Sequence, residues 1–218
     1  MSFYTSNRNE NTPGPIVGNP LYGLCEKACI QVNKVFDACI QQETLEGVQL
    51  SVSNITPSGA VEPYTFVSAK SSSVTGTIND LTVDRLEDRP NFARVKGNVT
   101  IPLDVVFVDS TGAEFVGESS ISIPKDVILY VPEPSIIPYS VESVVSAIST
   151  VGTYSGNNIF TVTMCVTVIL KIVIEAELLV PTYGYCAIPP CQEYTQEVCE
   201  GFFDLPLFPS NNFTSTIL

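Results

Sequence analysis

The chain has 218 residues, 44% of them apolar, enough to bury the core of one large β domain or two small ones and far from the make-up of a disordered polymer. Only 15% are charged, and 23 acidic side chains against 10 basic ones give a net charge of −13, which leaves nothing to neutralise phosphates and excludes nucleic acid as a partner. Histidine is absent, so the usual general base near neutral pH is missing and a nucleophilic Ser or Cys would have to rely on lysine or a carboxylate.

Residues 1–24 are rich in Asn, Ser, Thr, Gly and Pro and carry no hydrophobic period, so they read as an N-terminal arm or connector, with Ile16, Leu21 and Tyr22 as its apolar contacts. No basic leader followed by an apolar stretch is visible there, so the expectation is synthesis in the cytoplasm without a Sec signal. From Cys25 to Gln42 the apolar residues fit either a short helix or a strand; the β-branched centre favours the strand.

Strand follows strand after that: 48–55, 62–70, 74–86, 93–109, 114–123, 126–131, 141–154 and a long segment from Ile159. "DSTGA" around Gly112 and "SGNN" at 155–158 are hairpin chemistry, where Gly and Asn accept a positive φ. Eight or nine strands without a helical crossover predict an all-β fold, an antiparallel jelly-roll-like β-sandwich over residues 25–200, with extended N- and C-terminal arms.

The segment 159–181 is the one apolar run long enough to suggest a membrane span. It fails because Lys171, Glu175 and Glu177 interrupt it, at roughly 2.5–3.5 kcal/mol for each charge near mid-span. Its period is two: Val162, Met164, Val166, Val168, Leu170 and Ile172 share one face, while Thr161, Thr163, Cys165 and Thr167 lie on the other. It therefore reads as a half-buried strand, bent or shared between sheets. The closing segment 201–218, with Phe202, Phe203 and Phe208, is an apolar tail expected to fold back or to dock on a neighbouring subunit.

Seven cysteines cluster near the two ends, with Cys165 between. Cys186, Cys191 and Cys199, joined by Cys25 or Cys29, could form an all-thiolate zinc site, but no paired C-x2-C knuckle is present; no metal and no cofactor is expected. Disulfides are the expected use of Cys25, Cys29, Cys39, Cys186, Cys191 and Cys199, within or between chains. No phosphate loop or nucleophile elbow occurs. The carboxylate sets Asp84, Glu87, Asp88 and Glu175, Glu177 read as solvated, so no enzyme is expected.

The runs "CIQVNKVFDACIQQETLEG", "GESSISIPKDVILYVPEPSIIPYSVE" and "VPTYGYCAIPPCQEYTQEVCEGFFDLPLFP" resemble an uncharacterised family of small acidic clostridial proteins of spore formers. In plan the chain is similar to the spore appendage proteins of bacilli, in which a jelly-roll subunit stacks through strand pairing and a cysteine-bearing arm crosslinks subunits. That resemblance implies a homopolymer at a spore surface or in an extracellular fibre, reached after a mother cell lyses, with Cys25 and Cys29 as crosslinkers. The expected function is thus a self-assembling fibre subunit, joined by strand pairing and arm exchange and locked by disulfides. The alternatives are a carbohydrate- or surface-binding β-sandwich, for which Tyr183, Tyr185 and Tyr194 are the candidate aromatics, and a phage or capsid jelly roll.

Overall fold

The computed structural model describes residue 16 and residues 18–186. Eight strands make up the described chain: β1 Glu26–Ser51, β2 Ser53–Thr56, β3 Thr65–Ser71, β4 Thr77–Arg85, β5 Phe92–Val108, β6 Glu114–Tyr130, β7 Ser140–Gly156 and β8 Ile159–Thr182. They form one sheet in the order β1-β8-β7-β3-β5-β6-β2, with β4 paired to β5 beside this path. The all-β, antiparallel expectation holds at this level. The ladder ends at β1 on one side and β2 on the other, where the sequence led us to expect a jelly-roll sandwich.

The chain divides into two compact units, Val32–Ala176 and the combination of Met1–Gln31 with Glu177–Leu218; the division falls within β1 and β8. In the second unit the Cys25 N–H donates to the Thr182 carbonyl at 2.9 Å, and the Tyr183 hydroxyl donates to the Pro20 carbonyl.

Within Val32–Ala176 the alternation of apolar and polar residues decides which side of each strand is buried. In β8, Phe160, Val162, Met164, Val166, Val168, Leu170 and Ile172 are all buried, and the alternation ends where Val173 is buried as well. In β5 the buried set is Ala93, Val95, Val99, Ile101, Leu103, Val105 and Phe107. β5 and β8 are not neighbours in the sheet, yet the Phe107 and Phe160 rings lie 5.4 Å apart, with Tyr64 4.7 Å from Phe107. These side chains belong to one hydrophobic core.

Both predicted hairpins form. β7 and β8 meet through Asn157 and Asn158, with φ of 53° and 58°, the pair of left-handed residues that a two-residue turn between twisted strands requires. The β5–β6 turn is built on Asp109, which is 6% exposed. Its Oδ1 accepts from the Thr111 hydroxyl at 2.6 Å, from the Thr111 N–H at 2.8 Å and from the Ala113 N–H at 3.1 Å, while Oδ2 accepts from the Val61 N–H at 3.2 Å. The Thr111 hydroxyl, helped by the three N–H donors and opposed by burial, holds the Asp109 carboxyl below the usual carboxylate range. The stabilisation is therefore complete above the unfolded-state value of about 3.9 and is lost as pH falls through the lower folded value. The gap in Tm between the protein and its Asp109→Asn variant is expected to narrow as pH drops below about 4, which thermal melts across a pH series would show.

Three expectations are corrected. The segments 114–123 and 126–131 are one strand, β6, running through Pro124, which sits opposite Asn98. Proline lacks a donor, but β2 pairs with β6 only at Val116 and Glu118, so the side of Pro124 facing away from β5 has no ladder to break. Residues 74–76 do not begin β4; they run beside β7, with the Val145 N–H donating to the Val74 carbonyl at 2.9 Å. The strand favoured for 25–42 forms, but it runs on as Glu26–Ser51 and takes in the first part of the segment 48–55 expected as a separate strand, because its polar residues lie along an edge that needs no apolar period.

A single residue, Val52, separates β1 from β2, so the chain passes from the edge beside β8 to the edge beside β6. Gly117 makes room for this passage, since a Cβ there would lie 2.1 Å from Val52 Cγ1. Side chains of β1 also reach β6: Asp37 Oδ2 accepts from the Tyr130 N–H at 2.8 Å, and Lys125 Nζ donates to Glu43 Oε1 at 3.1 Å.

Candidate contact surface

The burial of even-numbered β8 residues places Thr161, Thr163, Cys165, Thr167 and Ile169 on the opposite side of the strand. The register with β7 sets Thr153 against Thr161, Val151 against Thr163, Ile148 against Cys165 and Ser146 against Thr167. Beyond β8, β1 contributes Gln42, whose amide donates to the Thr167 hydroxyl at 3.3 Å, and Thr44, whose hydroxyl lies 3.9 Å from Cys165 Sγ. An open groove of about 320 Å³ runs between Gln42, Glu43, Thr44, Ile148 and Cys165.

This face carries no charge of its own along β7 and β8. From residue 143 to residue 170 the sequence contains no Asp, Glu, Lys or Arg; Glu142 and Lys171, which face each other in the register, mark its end, and Lys70 of β3 lies opposite Ile148. Ile148 is 54% exposed and Val151 66% exposed. The sequence reading recognised the Thr face of β8 but not its β7 partner. The charge-free run was the available signal, and it escaped because charge was counted over the whole chain, not along it.

Cys25, Cys29, Cys39, Cys165 and Cys186 are all free thiols, so the expected disulfide lock is overturned among the described residues. For Cys25 and Cys29 the physical reason is strand geometry. Cys25 and Cys29 border one extended stretch four residues apart, about 13 Å at ~3.3 Å per residue, whereas a bridge needs Cα atoms about 4.4–6.8 Å apart. Cys39 packs against the core, where burial pushes its thiol up despite the Leu170 backbone hydrogen bond. Cys191 and Cys199 lie outside the described residues, as do Phe202, Phe203 and Phe208 of the expected assembly arm. Ile16, Leu21 and Tyr22 of that arm are exposed.

The other chemistry offers little. No cluster of three or more metal-ligating side chains occurs among the described residues, and Asp84, Glu87, Asp88, Glu175 and Glu177 are exposed. No helix among the described residues is long and apolar enough to cross a membrane. Of the aromatics considered for sugar binding, Tyr183 spends its hydroxyl on Pro20 and lays its ring within 3.5 Å of where a Cβ on Gly23 would stand; Tyr194 lies outside the described residues. Comparisons with protein families, with curated proteins and with solved structures give no match. What the fold and its surface define is an antiparallel all-β module with a hydroxyl- and aliphatic-bearing face that is uncharged along β7 and β8.

Proposed function

We propose that this chain is a non-catalytic structural module, sandwich-like in its packing, that associates reversibly with further copies of itself through noncovalent contacts. The observation that carries the reading is the aliphatic content of the outward-facing strand positions: Ile40, Val67, Val116, Ile128, Ile148 and Val151 are each at least 40% exposed. Scattered apolar residues are ordinary on any surface; aliphatics standing on β1, β3, β6 and β7 at once are the make-up of a surface that other protein covers. The ring contact between Phe107 and Phe160 supports the sandwich-like packing, since it joins strands that are not sheet neighbours.

Light scattering on the full chain in excess thiol reductant, over a concentration series, tests the proposal. A molar mass that rises with concentration supports it. A single-chain mass at every concentration overturns it.

A further inference from the structure

We infer that the outer face of β7 and β8 is the self-association surface and packs against the same face of a second copy. The inference rests on the structural reading above and names its interface. Charge selects the occupant. Each copy carries −13, so two copies repel over most of their surfaces and meet with least repulsion where neither carries a carboxylate, along residues 143–170. The β7 and β8 residues of this face supply no cation, and the single flanking one, Lys70 of β3 opposite Ile148, is not a cluster that would hold an anionic ligand or a lipid headgroup; the exposed side chains of β7 and β8 are aliphatic and hydroxylic, with no aromatic ring on which a sugar would stack.

The edges of the Val32–Ala176 unit do not compete: β1, at one end of the ladder, is engaged toward β6, where Asp37 accepts from the Tyr130 N–H and Glu43 from Lys125. β6 presents Pro124 and the inward-pointing charge of Lys125, β2 has only 4 residues, and β4 is bulged between Asn79 and Thr82, with Asp80 at a φ of 53°. Prolines, inward charges, shortness and bulges are the devices by which proteins stop strand addition at a sheet edge. The face remains. A patch that meets its own copy forms an isologous contact, and two sheet faces pack about 10 Å apart with their side chains interleaved. Ile148 and Val151 of β7 would stand against the Thr163 and Cys165 region of the partner.

The size of the face sets the strength. Ten residues of β7 across β7, β8 and the flanking β1 make a face of about 30 Å by 14 Å, roughly 400 Å² and half the ~800 Å² per partner of a stable complex, so the association is reversible.

Sedimentation velocity in excess reductant, on the full chain, on the double variant Val151→Glu/Thr163→Glu and on Leu81→Glu of β4, tests the inference. The expected result is a concentration-dependent sedimentation coefficient for the unaltered chain and for Leu81→Glu, with the dissociation constant of the double variant raised at least about tenfold by the juxtaposed carboxylates. Equal association of all three, or equal loss in Leu81→Glu, overturns the face while leaving the structural module standing; no association even in the unaltered chain removes both. Should melting curves show the double variant unfolded, Ile148→Thr/Val151→Thr, which keeps the β-branch and removes the aliphatic contact, is expected to weaken association, and unchanged association in that variant overturns the inference.

Discussion

Phe160→Ala is expected to lower the unfolding free energy by about 3–5 kcal/mol, the usual cost of emptying a fully buried aromatic site. Phe160 is 0% exposed and stands at the meeting point of four other rings: Tyr154 at 5.3 Å, Phe107 at 5.4 Å, Phe66 at 5.7 Å and Tyr64 at 6.4 Å. The cavity cannot collapse easily, because Tyr154 is tethered by its hydroxyl, which donates to Glu62 Oε1 at 2.5 Å. Urea denaturation would show the loss as a lower midpoint at an unchanged m-value. A loss under about 1 kcal/mol would mean that the rings do not form one packed core.

The second large effect is an asymmetry at the Lys125–Glu43 pair. The Lys125 side chain is 3% exposed and Glu43 31% exposed, so the ammonium is the partner that has given up its water. Glu43→Ala leaves that charge buried without its acceptor. The cost is expected at about 2–3 kcal/mol, below the ~3–5 of a wholly buried pair because Glu43 keeps some solvent. Lys125→Met fills the same volume without a charge and is expected to change stability by under about 1 kcal/mol in either direction. Chemical denaturation of both variants decides the matter: if Lys125→Met costs as much as Glu43→Ala, the pair is a net source of stability and not a desolvated charge held in place. Lys125→Met also removes the inward charge from the β6 edge, so it is the variant to watch for precipitation.

Strand identity was legible wherever burial imposed an alternation. The β5–β6 and β7–β8 hairpins follow from period-two runs meeting Gly112 and the Asn157, Asn158 pair, whose local chemistry is sufficient to turn the chain. The continuity of β6 was not legible, because Pro124 reads as a break unless the edge is known to be unpaired there. The length of β1 was hidden for a similar reason: Gln31, Asn33, Gln41 and Gln42 interrupt the apolar pattern along an edge strand. The crowding of cysteines at both ends suggested staples because sequence clustering was taken for spatial clustering. In an extended strand, neighbours in sequence are carried apart at ~3.3 Å per residue, and the same rise that makes Thr161, Thr163, Cys165 and Thr167 a regular ladder on one face keeps Cys25 from Cys29.

Cys165 offers a reporter at the centre of that ladder, exposed and facing Ile148 across the strand pair. The most direct test of noncovalent association through this face is its rate of alkylation by iodoacetamide, resolved by peptide mass spectrometry, in dilute and in concentrated protein. Cys165 is expected to react more slowly as concentration rises, while the exposed Cys25 and Cys29 keep their rates. Equal Cys165 rates in dilute solution and in a concentrated sample whose mass shows association would contradict the account.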